Sequence, residues 1–220
     1  KTASMSRLRS LRQCLFLRRT VMRILKKPVP PFVPMGAEEK KPKVRERVVQ
    51  EFAPVCDAHS KVLILGTAPS RKSREAGFYY GHPQNRFWKM LAAVTGEEVP
   101  QTTEEKKALL LCNGIALHDV IHSCDIIGSS DSSIRNVEPA DLGRILLVTG
   151  EIPVFCNGGT AYRLYRKYQE KKTKIPARQL PSTSPANAAW RLERLVEEWG
   201  AALLPYLRAG TVDLENDGRE

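Results

Sequence analysis

Short apolar runs alternate with amphipathic stretches from about residue 48 to the C-terminal region. An apolar run of four or five residues that ends at a turn-forming residue is typical of a buried strand, because a helix of that length would be marginal. Two of the runs end at Gly66 and Asn157, residue types that favour turns. The runs predict four strands, at residues 61–65, 114–117, 154–156 and 177–180.

Between and after these strands, apolar residues recur at three- and four-residue spacing, which predicts amphipathic helices. The predicted helices cover residues 85–94, 104–112, 139–147, 160–168 and 186–204. Strands that alternate with helices indicate an α/β domain with a short, mostly parallel central sheet. Ligands of such folds bind beyond the carboxyl ends of the strands. Function is therefore to be sought in the segments at residues 66–70, 118–124, 157–159 and 181–186.

The positive charge of the chain lies in its N-terminal segment. The 220 residues include 35 Lys and Arg against 24 Asp and Glu, a net charge of +11. Residues 1–47 hold 14 of the basic and 3 of the acidic residues, so the rest of the chain is neutral. Four prolines within residues 28–34 cannot continue a helix. We interpret residues 1–47 as a basic, proline-containing extension, residues 48–210 as the globular domain and residues 211–220 as a tail.

Composition excludes several classes of protein. The hydrophobic content of 42% is too high for a wholly disordered chain. No stretch of 18 apolar residues is free of charge, so we expect no membrane-spanning segment. The five cysteines are widely spaced, without a CxxC pair, and odd in number. We therefore expect no metal, no cofactor and no disulfide scaffold, and a reducing compartment.

Three segments carry candidate chemistry. Residues 66–70, Gly-Thr-Ala-Pro-Ser, form a small-residue turn that lets a ligand approach the backbone, or simply a strand-to-loop turn. Residues 77–88 place three aromatic side chains, a histidine and Asn85 before a helix, and aromatic faces can stack on a base. Residues 181–187 combine prolines with hydroxyls, which bind phosphate well or cap the helix predicted after them. On its own, Asn85 is best interpreted as a helix cap.

Together these segments resemble the motifs of the uracil-DNA glycosylase superfamily. The run His-Pro-Gln-Asn-Arg-Phe-Trp at residues 82–88 is similar to that of mismatch-specific uracil-DNA glycosylases. The strongest resemblance is to the hypoxanthine-DNA (deoxyinosine) glycosylase branch, from about Phe52 to Asn187, or about 60% of the chain. It implies a three-layer α/β/α sandwich. It also implies a monofunctional base-excision repair enzyme that hydrolyses the N-glycosidic bond of deaminated bases, hypoxanthine first and uracil as a second candidate.

One departure from the family pattern changes the expected catalytic residue. Mismatch-specific relatives carry a catalytic Asn at the third position of the first motif, where this chain has Ala68. An alanine cannot hold a water through its side chain. The resemblance to the hypoxanthine branch, which also lacks that Asn, moves the catalytic role to Asn85. Asn85 would either hold the attacking water or stabilise the leaving base.

The resemblance and the strand ends together imply a site in two parts. Tyr80 is expected to stack on the extruded base, and His118 and Asp119 to face the same crevice. Asp119 could accept from a base N–H and Asn157 could recognise a base edge, although capping and turn roles remain open for both. The expected base pocket comprises Gly66, Thr67, Ala68, Tyr80, His118, Asp119 and Asn157. The expected DNA contacts are Pro69, Ser70, Ser182, Ser184 and Pro185, the last two at the place where relatives carry a wedge.

We expect a monomer that acts on DNA containing deaminated bases, with neither a metal nor a membrane as partner. A cytoplasmic, nucleoid-associated location is expected, or a mitochondrial one if residues 1–34 are a transit peptide. The extension equally fits an arm that contacts DNA or a membrane, or a segment without a role. Two rival functions remain, of which the first, a silent lesion-binding protein on the same fold, is favoured by Ala68. The second is a generic α/β enzyme that binds small nucleotides.

Overall fold

The computed structural model describes residues 44–128 and 130–208. The strands, in chain order, are β1 (Arg45–Val49), β2 (Val62–Gly66), β3 (Ile115–Asp119), β4 (Ile121–Ile127), β5 (Arg135–Pro139), β6 (Val154–Asn157) and β7 (Ala177–Leu180). The helices are α1 (Arg71–Ala76), α2 (Phe87–Thr95), α3 (Thr103–Cys112), α4 (Gly143–Thr149), α5 (Gly159–Tyr168), α6 (Glu170–Thr173) and α7 (Leu192–Leu207), with a 3₁₀ turn at Asp131–Ser133.

A four-stranded sheet with the order β3-β2-β6-β7 forms the centre of the domain. Each neighbouring pair is parallel, with Gly66 of β2 opposite Asp119 of β3. Strands β2, β3 and β6 are buried along their whole lengths. Their sequences are therefore mostly continuous apolar runs and do not alternate between apolar and polar residues. The four predicted strands are confirmed, each within two residues of its predicted bounds.

Helices cover both faces of this sheet, which confirms the predicted α/β/α sandwich. Val62 and Ile64 of β2 point to one face, where they join a core built with α2, α3 and α7. Leu63 and Leu65 point to the other face and pack with α4 and α5. Successive strand residues alternate between faces, so one five-residue strand supplies both cores. Each such fully buried side chain stabilises the fold by about 1.5–3 kcal/mol.

A second, antiparallel sheet with the order β1-β4-β5 was not predicted. Its outer strands are mostly exposed, and charged residues occupy the first three positions of β1, so neither forms an apolar run. In β4, buried and exposed positions alternate only in part. Strand β1 begins at Arg45, inside the stretch assigned to the extension, and pairs with β4 along its whole length. The expected boundary at residue 47 therefore lies inside a strand.

Two helix predictions need correction at their starts. The last helix begins at Leu192 instead of residue 186, because residues 181–191 form an irregular segment. The helix predicted at 139–147 begins at Gly143, since Pro139 still belongs to β5. Helix α1 was not predicted, because its six residues carry no apolar face. Its ends are marked in the sequence all the same, by the N-cap Ser70 and by Gly77, whose φ of 67° suits glycine.

Expectations for the extension and the tail fall almost wholly outside the described residues. Of residues 1–47, the structure describes 44–47, and it describes nothing beyond residue 208. Within the described ranges, no helix is long and apolar enough to cross a bilayer. In the same ranges, no group of three or more His, Cys, Asp or Glu side chains is arranged to hold a metal ion.

Candidate active site

A cavity of about 260 Å³ opens at the carboxyl ends of β2, β3 and β6. This is the edge where an α/β sheet binds its ligands. This volume lies just below the ~300–1,000 Å³ of ordinary small-molecule sites, so the cavity has room for a single base. Its walls are formed by Phe52, Gly66, Thr67, Ala68, Pro69, Ser70, Ser73, Tyr79, Tyr80, Asn85, Asp119, Asp131, Asn157, Gly158, Gly159, Thr160, Ser182, Thr183 and Ser184.

Residues 66–68 form the floor. A Cβ at Gly66 would collide with Oδ1 of Asp119 and stand 3.0 Å from the hydroxyl of Tyr80, so only glycine fits there. The Gly66 and Thr67 carbonyls accept from the N–H groups of Val120 and Ile121, at 2.9 and 3.2 Å. Within the described chain, the N–H groups of Thr67 and Ala68 have no acceptor. Because both residues line the cavity, these two N–H groups are candidate donors to a ligand.

Asp119 places a buried carboxyl group at the same floor. The residue is 4% exposed and accepts a hydrogen bond at Oδ2 from Nε2 of Gln50, which is itself buried. Burial raises the pKa of the Asp119 carboxyl to about 7, and the Gln50 hydrogen bond opposes that rise. The group therefore changes its charge near neutral pH.

His118 does not face the cavity, which corrects the expectation that it shares the crevice with Asp119. Adjacent residues of a strand point to opposite faces. The His118 ring instead lies against Tyr79, with 2.7 Å between its Nδ1 and the tyrosine hydroxyl. Burial lowers the pKa of His118 to about 4, so the ring is neutral at pH 7. It supports Tyr79, which lines the cavity, from behind.

Tyr80 lines the cavity beside Asp119 and adopts a φ of 52°, an uncommon value for a bulky residue. One face of its ring stacks on Phe87, with 4.0 Å between ring centroids and 24° between planes. Phe87 therefore covers this face, and a base could stack only on the opposite one. The Tyr80 hydroxyl is buried without a hydrogen-bond partner among the described residues. Burial, and next the Asp119 charge, raise the pKa of this hydroxyl, which keeps it protonated.

Asn85 lines the cavity just before α2. Its Oδ1 accepts from the N–H of Phe87 at 3.0 Å and from the hydroxyl of Thr183 at 2.9 Å. Its own N–H donates to the His82 carbonyl at 2.8 Å, which fixes the turn. The N-cap of α2 is Arg86, one residue after Asn85, so Asn85 is not the cap itself. Its oxygen still accepts from the first N–H of the helix, and its Nδ2 group is left for a ligand.

Asn157 ends β6, and both atoms of its amide bind Thr183. Nδ2 donates to the threonine hydroxyl at 2.9 Å, and Oδ1 accepts from the threonine N–H at 3.0 Å. The residue borders the cavity, and each atom of its amide uses one of two hydrogen-bonding positions on the neighbouring loop. The geometry therefore supports a structural role for Asn157 and leaves the second N–H of Nδ2 for another partner.

Arg86 holds the irregular segment at residues 181–191 against the site. Its Nε and backbone N–H donate to the Thr183 carbonyl at 3.2 and 3.1 Å. Its Nη2 donates to the Asn187 carbonyl at 3.1 Å and also contacts the Ser184 carbonyl, while Nη1 contacts that of Trp190. The Arg86 guanidinium thus binds backbone carbonyls of the irregular segment, where a helix was predicted to begin at residue 186.

Four of the five expected DNA contacts border the cavity. Pro69 and Ser70 do so on one side, and Ser182 and Ser184 on the other. Pro185 is exposed on the loop next to Ser184 and does not line the cavity. The Ser182 hydroxyl accepts from the N–H of Ser184 at 3.2 Å, so it also shapes this turn.

Several residues in or beside the cavity wall could not be selected from the sequence. Phe52 and Gln50 precede the first predicted strand, and neither forms part of a motif. Thr183 lies inside a quoted motif, yet only its burial and partners in the structure distinguish it from the serines beside it. Arg163 reaches the rim, where its Nη2 donates to the Thr160 hydroxyl at 3.1 Å. No carboxylate of the described chain lies within ion-pair distance of Arg163.

Comparisons with known proteins agree with one another. The model of the uracil DNA glycosylase superfamily matches residues 53–207. A hypoxanthine DNA glycosylase of Methanosarcina acetivorans is 34% identical over 154 residues, which cover 68% of this chain and 94% of the relative. A hypoxanthine DNA glycosylase of Methanosarcina barkeri is 36% identical over 90 residues, 40% of this chain and 57% of that protein.

A solved structure matches the fold as well. It is the solution NMR structure of a protein from Methanosarcina acetivorans described as a candidate uracil DNA glycosylase. The two structures superpose with a TM-score of 0.63 at 30% sequence identity, over 74% of this chain and 99% of that one.

Proposed function

This chain belongs to the uracil DNA glycosylase superfamily, and from that premise we propose that its cavity receives one deaminated base rotated out of DNA. It is a DNA base-excision glycosylase, a hydrolase acting on N-glycosyl bonds. Chemistry at a glycosidic bond inside a duplex requires this rotation, which costs a few kcal/mol and least for a mispaired base. The preferred base is hypoxanthine, with uracil second.

Asp119 supports a preference for hypoxanthine over adenine and for uracil over cytosine. Deamination converts an amidine edge into a lactam, so that hypoxanthine and uracil carry a ring N–H where adenine and cytosine carry a lone pair. An ionised Asp119 accepts from that N–H and repels the lone pair. The ionised carboxylate is a charged, stronger acceptor, whereas the protonated group carries an O–H donor and keeps only a neutral acceptor, so recognition strengthens as the pH rises through the carboxyl pKa of about 7.

Tyr80 supplies the stacking surface. A base lying against the ring face opposite Phe87 would reach down to the floor, where Asp119 and the open N–H groups of Thr67 and Ala68 stand. Aromatic stacking on a base contributes about 1–3 kcal/mol, enough to offset the unstacking of a mispaired nucleotide.

Asn85 is the proposed catalytic residue. As the glycosidic bond breaks, the sugar gains oxocarbenium character and the leaving base gains negative charge. Fixed donors aimed at the base lower that barrier. Asn85 Nδ2 and the N–H groups of Thr67 and Ala68 are such donors. No lysine is among the described residues that line the cavity, which supports attack by water and a monofunctional reaction without strand cleavage.

The remaining roles are proposed on the same basis. Pro69, Ser70, Ser182, Ser184 and Pro185 contact the DNA around the extruded nucleotide, with Ser184 and Pro185 at the vacated stack. The protein acts as a monomer, without a metal ion. Cys56, Cys112, Cys124 and Cys156 are free thiols, which supports a reducing compartment such as the cytoplasm, with DNA in the nucleoid. A mitochondrial address would reside in residues 1–34.

The observation that carries this proposal is the unpaired amide donor of Asn85 in a base-sized cavity beside a buried carboxyl group. The test is a base-release panel, in which duplexes containing deoxyinosine, deoxyuridine or undamaged bases are incubated with the protein and then treated with alkali. We expect breaks at deoxyinosine, fewer at deoxyuridine and none in undamaged DNA. Binding without breaks at any lesion would establish the silent binder that Ala68 suggests. Equal affinity for free nucleotides and lesion duplex would establish a nucleotide-binding enzyme.

A further inference from the structure

Thr183 lies between two asparagines at the back of the cavity. Its side chain is 0% exposed, and its hydroxyl accepts from Asn157 Nδ2 and donates to Asn85 Oδ1, both at 2.9 Å. The loop after β7 thereby links the end of β6 to the turn before α2. A buried hydroxyl that both accepts and donates is fully satisfied, so the three side chains form one hydrogen-bonded chain.

Backbone N–H groups set the direction of this chain at both ends. The Thr183 N–H can only donate, so the Asn157 atom that faces it at 3.0 Å is Oδ1. That leaves Asn157 Nδ2 to face the Thr183 hydroxyl, which must then donate onward. At the other end, the Phe87 N–H likewise requires Oδ1 of Asn85 beside it, at 3.0 Å. The oxygen and nitrogen of an amide occupy nearly equivalent positions, and their hydrogen-bond partners distinguish them. Here the two backbone N–H groups determine the orientation of both amides.

This direction has a chemical consequence for Asn85. Its Oδ1 receives two donors, which occupy both lone pairs of a carbonyl-type oxygen. To make water a better nucleophile, a side chain must accept a proton or hydrogen bond from it. Asn85 has only Nδ2 left for the cavity, and Nδ2 can only donate. The group therefore suits the growing negative charge on a departing base.

We propose that Thr183 is a positioning residue, which occupies Asn85 Oδ1 and so presents Asn85 Nδ2 as a fixed donor to the leaving base rather than to the attacking water. This assignment rests on the proposed glycosylase function and decides between the two roles open to Asn85. Thr183 acts through Asn85 and makes no contact with the reacting atoms itself.

The experiment measures hypoxanthine release from a deoxyinosine duplex in single turnover, with enzyme titrated to saturation. The variants are Thr183→Val, Thr183→Ser, Asn85→Ala and the double variant Asn85→Ala with Thr183→Val. Thr183→Ala is the substitute if the valine variant does not fold, and thermal unfolding is measured for each. Thr149→Val is the matched control, because its hydroxyl bonds the Ile145 carbonyl of α4 at 3.2 Å, away from the cavity.

We expect Thr183→Val to lower the saturating rate by about 10- to 100-fold, the loss typical of a misplaced catalytic group, with the half-saturating concentration unchanged. Thr183→Ser restores most of the rate because it keeps the hydroxyl, and Thr149→Val matches the wild type. In the Asn85→Ala background, Thr183→Val has no further effect. A wild-type rate in Thr183→Val, or an equal loss in both backgrounds, would overturn the role of Thr183. A wild-type protein that releases no hypoxanthine would instead refute the proposed function, and this role with it.

Discussion

The hydroxyl of Thr183 donates a hydrogen bond of 2.9 Å to Oδ1 of Asn85, across 98 positions of the sequence. The contact joins the loop after β7 to the turn before α2, the two segments on either side of the cavity. Arg86, next to Asn85, binds the Thr183 carbonyl from the same turn. The interactions that close the cavity therefore also orient the amide proposed to act in it.

Asp119 predicts a pH-dependent stability. Its folded pKa of about 7 lies above the ordinary value of 3.8, so folding favours the neutral carboxyl. Its contribution is full below about pH 4 and is lost as the pH rises through 7. A shift of about three pKa units corresponds to about 4 kcal/mol. The wild type should therefore lose stability from pH 5 to pH 8 and Asp119→Asn should not. The difference in unfolding temperature between variant and wild type should shift in favour of the variant over this range.

The exposed aspartate Asp141 provides the control for this prediction. It lies before α4, where it pairs with Arg144 on the surface, and Asp141→Asn should change the unfolding temperature equally at both pH values. If Asp119→Asn shows the same offset from the wild type at pH 5 and pH 8, Asp119 is ionised in the fold and the account of its burial is wrong.

Removing the Gln50 side chain should displace the pH dependence of base release. Its Nε2 donates to Asp119 and opposes the rise of the carboxyl pKa. Base release should increase as the pH rises through about 7, because the ionised carboxylate accepts the base N–H more strongly than the neutral group does. Gln50→Leu removes the donor, so the pKa rises and this limb should move to higher pH in a plot of saturating rate against pH. Gln101→Leu, an exposed glutamine, should leave the limb in place. A limb unmoved in Gln50→Leu would contradict the role of Gln50.

The central sheet was predictable chiefly because β2, β3 and β6 are buried along their whole lengths, and such strands form apolar runs that the sequence alone reveals. The second sheet was not predictable from the sequence. Strand β1 is held there by pairing with β4 and by the ion pairs of Arg47 with Asp125 and Glu138. Charged, half-exposed residues carry no periodicity, and their partners lie some 80 positions away along the chain.

The residues of the site also fall into those that the sequence could identify and those that it could not. Asn85, Tyr80 and residues 66–68 lie within short motifs and could be selected from the sequence. Gln50 and Thr183 act on partners 69 and 98 positions away, and no local pattern encodes such distances. His118 was placed wrongly because the strand continues through it, and alternation sends its side chain away from Asp119.

Arg163 predicts a phosphate contact at the rim. Its guanidinium is exposed and free of any carboxylate in the described chain, beside Thr160 on the cavity wall. Arg163→Gln should weaken binding to lesion and undamaged duplex alike and lower the slope of log affinity against log salt by about 1. Arg144→Gln, whose arginine pairs with Asp141 on α4, should leave the slope unchanged. An unaltered slope in Arg163→Gln would exclude the contact.

Because β1 begins at Arg45, we expect chains that start at residue 44 and at residue 48 to behave differently. A chain that starts at residue 44 keeps β1 and should release hypoxanthine at the wild-type rate, since the net charge of the extension takes no part in the chemistry. A chain that starts at residue 48 loses Arg45 and Arg47, which bind Ser133, Asp125 and Glu138 of the second sheet. It should unfold at a lower temperature. Equal unfolding temperatures, or a lost activity in the longer form, would contradict this.

The most direct test compares free hypoxanthine released by wild-type protein and by Asn85→Ala from the same deoxyinosine duplex. Asn113→Ala is the matched control, because that side chain binds the Leu109 carbonyl at the end of α3. We predict that Asn113→Ala keeps the wild-type rate. Asn85→Ala should lose about 10²- to 10³-fold, as when one fixed donor to a developing anion is removed, while it folds and binds the duplex. Release of hypoxanthine by Asn85→Ala at the wild-type rate would contradict the account.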